Sequence, residues 1–234
     1  MRQAGKPDLH VRTAIIERFH QRHLPHEIPD GVPFFVTWNL KGAMPPEATA
    51  RLHGERERLQ RQPSRAGESL RERRIRESKI LFGMADKVLD AARSGPLHLK
   101  DQRAAKIVGD SILFGSGERY ELYAWCVMAN HVHVLSKPIW ELEKLLQGIK
   151  GFTAHEINGL QEARGRVFWQ DESLDHWVRN EEELARIVQY IENNPVVAGL
   201  CSRSEDWPWS SAHFRAGWPV GQPFQADQTK KSGK

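Results

Sequence analysis

The sequence predicts an α+β fold of ferredoxin-like type, an αβ sandwich with an antiparallel central sheet and an added helical insertion. Three observations predict it. Short segments rich in aromatic and β-branched residues indicate strands. Other segments place apolar residues at three- and four-residue steps and indicate amphipathic helices. Strands and helices alternate around one hairpin, which is the order expected of such a sandwich.

Four segments carry the expected strands. Residues 33–40, PFFVTWNL, are aromatic and β-branched and end shortly before a glycine and two prolines. Residues 119–128 and 131–136 are apolar runs that a two-residue connection joins into a hairpin. A short fourth strand is expected around residues 176–179.

Helices are expected before, between and after these strands. Leu142, Leu145, Leu146 and Ile149 repeat at helical spacing and give one apolar face. The last helix is expected to stop before Pro195, because proline lacks the N–H group that continues a helix. Outside the insertion, the expected helices span residues 9–22, 101–114, 139–157 and 181–194.

Residues 46–93 differ from the rest of the chain, because they are rich in Arg, Glu, Leu and Ala and carry no strand signal. We expect two helices here, broken between Pro63 and Gly67. Residues 51–80 contain ten Lys or Arg residues and five Asp or Glu residues. This pattern is compatible with a basic arm that follows DNA phosphates, and equally with a solvated helix whose charges pair between successive turns.

The expected organisation is one domain with flanking segments. An N-terminal extension covers residues 1–32, and the domain covers residues 33–215 with the helical insertion at residues 44–98. Residues 216–234 form a polar tail that we expect to be disordered.

Length and composition restrict the class of protein. The 234 residues suffice for one large domain, and 39% of them are hydrophobic. No apolar run approaches the roughly 20 residues that span a bilayer, and the N-terminus lacks the apolar stretch of a secretory signal, so we expect a cytoplasmic protein. Cys126 and Cys201 form no C-x-x-C pair, which argues against a disulfide framework or a thiolate zinc site. The net charge of +4 is only weak evidence for a nucleic-acid partner.

The segment His131-Val132-His133 is a candidate metal site. Residues i and i+2 of a strand point to the same face, so two imidazoles can bind one divalent ion there. The chain contains eleven histidines, so an H-x-H pattern is not specific in itself. Two histidines on a half-buried strand, without a metal, remain the alternative.

Tyr190 and Asn194 lie one turn apart on the last predicted helix, at the margin of its apolar stripe. A phenol and an amide oxygen that face the same way suit covalent catalysis by tyrosine beside a metal. The alternative is a boundary tyrosine that packs its ring and exposes its hydroxyl, followed by a helix stop at Asn-Asn-Pro.

The ordered set of motifs resembles the REP-associated tyrosine transposases, a branch of the single-tyrosine HUH superfamily. The motifs are M-x-N-H-V-H-V-L, then a helix, then RVFWQDESLDHWVRNEEEL, YIENNPVVAGL and EDWPWSS. The resemblance covers residues 33–42 and 100–213, and Ala129 stands where many relatives have proline. It implies that His131 and His133 bind the metal, that Tyr190 is the nucleophile and that Asn194 is a third ligand.

The resemblance also implies a function. Family members cleave and rejoin single-stranded DNA at palindromic, hairpin-forming repeats through a 5′-phosphotyrosine, with Mg²⁺ or Mn²⁺. Two imidazoles and an amide would also suit zinc or nickel. The resemblance further implies a bacterial cytoplasmic protein, with a monomer favoured over a dimer. Two alternatives remain: a domesticated protein that binds DNA hairpins without cutting them, and an unrelated metal hydrolase that uses water.

Several further residues are candidates for DNA contacts. Basic residues within the family-like core could contact phosphates, namely Lys150, Arg164, Arg166 and Arg179. Tryptophans could stack on bases, although core or core-edge positions suit most of them better; they are Trp125, Trp140, Trp169, Trp177, Trp207 and Trp209. His155 and His176 are additional candidates, with a surface position or a supporting role beside the site as the alternative.

Overall fold

The computed structural model describes residues 31–91, 95–215 and 221–224, and it confirms the α+β fold. Within these ranges, four strands form one antiparallel sheet that five helices accompany. The strands are β1 (Phe34–Asn39), β2 (Tyr120–Val127), β3 (His131–Pro138) and β4 (Leu174–Trp177). The helices are α1 (Pro46–Arg61), α2 (Leu70–Ala91), α3 (Gln102–Phe114), α4 (Leu142–Leu160) and α5 (Glu181–Val197).

The strand order in the sheet is β2-β3-β1-β4, and every neighbouring pair is antiparallel. This is the order of a ferredoxin-like sheet. The predicted hairpin is confirmed, because β2 pairs with β3 along its length. β1 lies in the middle, where Thr37 faces His133 and Asn39 faces His131 across the β1–β3 ladder. The paired histidines therefore lie in a central strand that neighbours shield on both sides.

The two faces of the sheet carry different helices, because successive side chains of a strand point to opposite faces. On one face, Phe35 of β1 joins residues of α5, including Val188 and Ile191, in a buried apolar cluster. Phe82 of α2 packs against this cluster, with its ring centroid 4.8 Å from that of Phe35. On the other face, α3 packs against α4, and Gly109 of α3 lets the Trp125 ring approach closely.

The two helices predicted for the insertion are confirmed as α1 and α2. Arg73 ties them together, because its Nη2 donates to the carbonyl oxygens of Leu59 and Gln60, each at 2.9 Å. Buried residues of α2 attach it to the rest of the domain, including Ala85 and Leu89. The insertion therefore contributes to the core.

One helix end differs from the expectation. We predicted that the last helix stops before Pro195, and this was wrong, since α5 continues through Pro195 to Val197. Proline removes only its own N–H donor, so the following turn still closes. The backbone N–H of Ala198 bonds to the carbonyl of Asn194 at 2.9 Å. The N-cap at Asn180 agrees with the predicted start, because its side chain accepts from the Glu183 N–H at 2.8 Å.

Some predicted segments lie outside the described residues. These are the helix expected over residues 9–22 and most of the tail over residues 216–234. Of the tail, residues 221–224 are described, and the Phe224 N–H donates to the carbonyl of Leu122 in β2. No described helix has an apolar stretch long enough to cross a membrane.

Candidate metal centre and tyrosine site

The two histidines of β3 lie side by side on the sheet face that α2 and α5 cover. Both are fully buried, and their Nε2 atoms are 2.9 Å apart. The Nδ1 atoms point away from this contact. His131 Nδ1 lies 2.6 Å from Asn130 Oδ1, and His133 Nδ1 lies 2.7 Å from Thr37 Oγ1. Each ring is thus held through one nitrogen while the other faces the centre of the site.

The hydrogen bonds of Asn130 determine the tautomer of His131. The Asn130 amide donates from Nδ2 to the backbone carbonyl of Leu89 at 3.2 Å, so its oxygen faces His131 Nδ1. His131 Nδ1 must then carry the proton, which leaves a lone pair on Nε2. Burial, together with the nearby His133, lowers the pKa of His131 to about 4, although Asp90 acts in the opposite direction. A neutral imidazole held in this way is the form that binds metal ions.

Helix α5 places Tyr190 and Asn194 beside the histidines. The Asn194 Nδ2 atom lies 3.0 Å from His133 Nε2 and 3.5 Å from the Tyr190 hydroxyl oxygen. The Tyr190 ring packs edge-on to the His133 ring, with centroids 5.9 Å apart, and 39% of the residue stays exposed. The structure therefore brings together all four residues that the sequence analysis placed in the site.

Two carboxylates complete the cluster, and the sequence analysis missed both. Asp86 and Asp90 lie one turn apart on α2 and point at the histidines and at Tyr190. The Tyr190 hydroxyl donates to Asp86 Oδ2 and also to Asp90 Oδ2, the latter at 3.0 Å. The D-x-x-x-D spacing put both carboxylates on one helix face, but nothing in the sequence indicated that this face meets β3.

The carboxylates determine the electrostatics of the site. Burial raises the pKa of Asp86 above its ordinary value. Burial also acts to raise the pKa of Asp90, but the interactions with the nearby His131 and His133 outweigh it and hold that pKa below its ordinary value. Burial, together with the charges of both carboxylates, raises the pKa of Tyr190 well above that of a free phenol. A cation bound among these groups would offset the negative charge that disfavours a phenolate.

Two buried oxygen atoms at this site have no hydrogen-bond partner among the described residues, namely Asp86 Oδ1 and Asn194 Oδ1. An unsatisfied buried acceptor is costly, and a metal ion is one way to satisfy it. The ligand atoms of Asp86, Asp90, His131 and His133 all lie within 4.8 Å of one another. Imidazole nitrogens and carboxylate oxygens are both common metal donors. The residues of this cluster therefore fit a divalent metal ion.

Comparisons with known proteins match the part of the chain that carries this cluster. The family model for IS200-like transposases matches residues 114–194, a segment that contains His131, His133, Tyr190 and Asn194. A protein of Haemophilus influenzae, named as a REP-associated tyrosine transposase, is 28% identical over 105 residues. The chain resembles the REP-associated tyrosine transposases. The match covers 40% of this chain and spans 60% of the length of that relative.

The fold gives a longer match, to one solved structure. A solved structure, described as a REP-associated tyrosine transposase bound to a REP hairpin, superimposes with a TM-score of 0.52. The match covers 88% of this chain and 93% of the other, at 17% sequence identity. At this identity the likeness concerns the fold. Asp86 and Asp90 lie outside the segment that the family model matches.

Basic residues suggested for DNA contacts bond to other parts of the domain. Lys150 donates to the backbone carbonyls of Gln170 and Asp171, at 2.6 and 2.9 Å. Arg166 bonds to the Asn158 side chain at 2.9 Å and stacks on Phe168. Arg164 is exposed, and Arg179 pairs with Glu183 at 3.2 Å. Lys150 and Arg166 thus also stabilise the segment between α4 and β4.

The aromatic candidates divide by exposure. Trp125 and Trp169 are buried, whereas Trp140 is 55% exposed, with the guanidinium carbon of Arg119 5.1 Å from its ring centroid. His155 is exposed on α4. His176 is buried in β4, with Nε2 3.2 Å from a carboxylate oxygen of Glu183, and so has a supporting position between β4 and α5.

Proposed function

We propose that the chain is a metal-dependent endonuclease and strand transferase for single-stranded DNA, which forms a 5′-phosphotyrosine intermediate at hairpin-forming repeats. One observation carries the proposal. A partly exposed tyrosine hydroxyl and a pair of buried histidines share one hydrogen-bonded cluster, in which Asn194 Nδ2 reaches both His133 Nε2 and the Tyr190 oxygen. A solvated boundary tyrosine and two core histidines have no need of this arrangement.

Tyr190 is the proposed nucleophile. Its oxygen forms a bond to the phosphorus of the scissile linkage while the bond from phosphorus to the 3′-oxygen breaks. Asp86 and Asp90 already accept the hydrogen bond of the phenol, so they are in place to take its proton. The departing 3′-oxygen takes one proton from solvent, which balances the proton that the carboxylates receive from the phenol, and leaves as a 3′-hydroxyl. The reverse attack reseals the strand, and the energy of the phosphodiester is retained in the tyrosine ester throughout.

His131, His133 and Asn194 are the proposed metal ligands from the sequence analysis. The imidazole Nε2 atoms already face the centre of the site, and a half-turn of the Asn194 amide would bring its partnerless Oδ1 atom to the same place. When bound there, Mg²⁺ or Mn²⁺ supplies Lewis-acid polarisation of a non-bridging phosphate oxygen. The proposed role of the buried histidine partners, Asn130 and Thr37, is to keep both rings in orientation.

The proposed partner is single-stranded DNA that contains a hairpin-forming palindromic repeat. The similar solved structure, described as bound to a REP hairpin, supports this choice. The proposed catalytic domain is residues 33–215, with the helices of residues 44–98 included, the extension of residues 1–32 before it and the tail of residues 216–234 after it. Lys150, Arg164, Arg166 and Arg179 remain the proposed phosphate contacts, and a monomer remains the proposed state.

A cleavage assay tests the proposal. Oligonucleotides with the palindromic repeats that flank the gene, labelled at either end, are incubated with protein and Mg²⁺, Mn²⁺ or EDTA. We expect a free 3′-hydroxyl product and a protein-linked 5′ end, both only with the metal. Binding without cleavage at any of the repeats would instead support a hairpin-binding protein. Cleavage that yields a free 5′ phosphate and no protein-linked strand would indicate a hydrolase that uses water.

A further inference from the structure

We propose that helix α2 completes the metal centre. Asp86 and Asp90 bind the divalent cation through their Oδ1 atoms, while their Oδ2 atoms hold the hydroxyl of Tyr190 beside it. The proposal rests on the function proposed above and deepens it, since it adds ligands to the same site. Both residues lie on a helix that neither the sequence motifs nor the family match includes.

The structure holds α2 firmly against the site. The Phe82 ring contacts that of Phe35, at a centroid distance of 4.8 Å. The carbonyl of Leu89 accepts a hydrogen bond from Asn130, the residue that also orients His131. On the N-terminal side of Asp86, Lys79 of α2 forms a 2.5 Å ion pair with Glu183 of α5. Contacts on each side of Asp86 and Asp90 thus fix the direction in which the two carboxylates point.

The Oδ1 atoms face the imidazoles at spacings suited to one ion. Asp90 Oδ1 lies 3.2 Å from His131 Nε2 and 3.7 Å from His133 Nε2, and Asp86 Oδ1 lies 3.8 Å from His133 Nε2. Donors that each sit about 2.1 Å from a shared ion are separated by about 3 to 4 Å. The imidazole nitrogens, 2.9 Å apart, fall at the lower end of this range. Four donors therefore surround one small space.

The burial of Asp86 supports a bound cation independently of the distances between donor atoms. Asp86 is 3% exposed, and its Oδ1 atom faces the His133 imidazole and has no hydrogen-bond partner in the part of the chain that the structure describes. A buried carboxylate oxygen that lacks a donor costs free energy, and so does a buried charge without an opposite charge. A divalent cation at this place satisfies the oxygen and balances the charges of both carboxylates, since the imidazoles are neutral ligands.

The Oδ2 atoms connect the same carboxylates to the nucleophile. The hydroxyl of Tyr190 donates to Asp86 Oδ2 and lies 3.0 Å from Asp90 Oδ2. Each carboxylate thus has one oxygen on the metal side and one on the tyrosine side. This bridge places the attacking oxygen next to the ion that activates the phosphate, before any DNA arrives. Asp86 and Asp90 are in this sense positioning residues for Tyr190.

Metal binding without DNA tests the proposal separately from catalysis. Mn²⁺ affinity is measured by electron paramagnetic resonance for the wild type, Asp86→Asn and Asp90→Asn. Asp110→Asn is the matched control, because Asp110 is exposed on α3 and pairs only with Lys106 among the contacts that the structure gives it. We expect each variant of α2 to weaken Mn²⁺ binding at least about 10-fold, as even supporting groups around metals do. The control keeps the wild-type affinity.

A separate measurement tests the contact between the two carboxylates and Tyr190. The chain has three tyrosines, so ring-labelled tyrosine gives few NMR signals, and Tyr190→Phe assigns the relevant one. We expect Mg²⁺ to shift the Tyr190 signal of the wild type, and the same concentration to shift it far less in Asp90→Asn. Wild-type Mn²⁺ affinity in both α2 variants would overturn the proposal, as would a Mg²⁺ response of Tyr190 that both variants retain.

A crystal of the wild-type protein with Mn²⁺ keeps the proposal testable if the variants do not fold. We expect the anomalous peak of Mn²⁺ within about 2.0–2.2 Å of oxygens from both carboxylates. A peak bound by the histidines and Asn194 alone would contradict the ligand role of α2. If Mn²⁺ binding depends on Asp86 and Asp90 while no DNA is ever cleaved, the proposed function fails and the metal site stands.

Discussion

The hydroxyl oxygen of Tyr190 lies 3.0 Å from Asp90 Oδ2, although 100 residues separate the two in the chain. This contact joins α5, which carries the proposed nucleophile, to α2 of the helical insertion. The same carboxylate group lies 3.2 Å from His131 of β3 through its other oxygen. The site is therefore assembled from three separate segments of the chain, and one of them is the insertion.

Removal of one imidazole should remove the stabilisation that a metal provides. In the wild type, a divalent cation at 100 times its dissociation constant should raise the free energy of unfolding by about 2.7 kcal/mol. His133→Ala should show almost none of this increase at the same Mn²⁺ concentration, whereas the exposed His155→Ala should keep it. Thermal unfolding with Mn²⁺ and with EDTA checks both. An unchanged cation effect in His133→Ala would place the metal elsewhere.

Replacement of Asn194 by Asp should make folding more dependent on metal. Asn194 Nδ2 donates to Asp90 Oδ1 at 3.2 Å, so Asn194→Asp puts a third carboxylate beside the Asp86 and Asp90 pair. We expect a lower unfolding temperature in EDTA, because like charges then face each other at a buried site. We also expect a larger increase on addition of Mn²⁺ than in the wild type. Equal responses of both proteins would argue against a position for Asn194 at the metal.

The ion pairs of the buried Glu183 with partly exposed basic residues should make the attachment of α2 sensitive to acid. Burial acts to raise the pKa of Glu183, but hydrogen bonds from Lys79 and Arg179 prevail and lower it below its ordinary value. Because the folded pKa is the lower one, the stabilisation is present above the unfolded pKa of about 4.3 and is lost as the pH falls below it.

The variant Glu183→Gln tests this dependence. At pH 7 we expect it to lower the free energy of unfolding by about 1.5–3 kcal/mol, the usual contribution of hydrogen bonds to a charged group. The difference between wild type and variant, measured by urea unfolding, should shrink as the pH falls from 5 towards 3. A difference in unfolding free energy that stays constant across this pH range would show that the charge of the Glu183 carboxylate is not the source of the stabilisation.

Trp140 should contribute to the binding of single-stranded DNA. It is 55% exposed and packs against Arg119, so its ring offers a flat surface beside a positive charge. Stacking of one base on an aromatic side chain contributes about 1–3 kcal/mol, so Trp140→Ala should weaken binding by about 5- to 150-fold. Phe152→Ala, which removes an equally exposed ring from α4, is the control for fluorescence-anisotropy titrations. Unchanged affinity in Trp140→Ala would exclude a stacking role.

The sequence predicted those parts of the fold that local patterns determine. The β2–β3 hairpin, α3, α4 and β1 follow from runs of apolar residues with a clear period. The end of α5 did not follow, because the helix tolerates Pro195 where only one N–H donor is lost. The two helices of the insertion were predicted, yet the way they pack was not, since their many charges hid which face is buried.

The sequence likewise predicted only part of the candidate site. Strand spacing placed His131 and His133 on one face. Helix spacing did the same for Tyr190 and Asn194, and the order of the motifs indicated that both pairs belong to one site. Asp86 and Asp90 reach the site only through the tertiary packing of α2 on the sheet, to which the contact between Phe82 and Phe35 contributes. A pair of aspartates in a helix rich in charges gives no local signal of such packing.

Formation of a covalent adduct at Tyr190 tests the central claim most directly. Labelled single-stranded DNA with the palindromic repeat is incubated with protein and Mn²⁺ and run on a denaturing protein gel. Tyr190→Phe is compared with Tyr123→Phe, whose hydroxyl bonds to Glu121 instead. We predict a labelled protein band for the wild type and Tyr123→Phe, none for Tyr190→Phe, and none with EDTA. An adduct of equal yield in Tyr190→Phe would contradict the account.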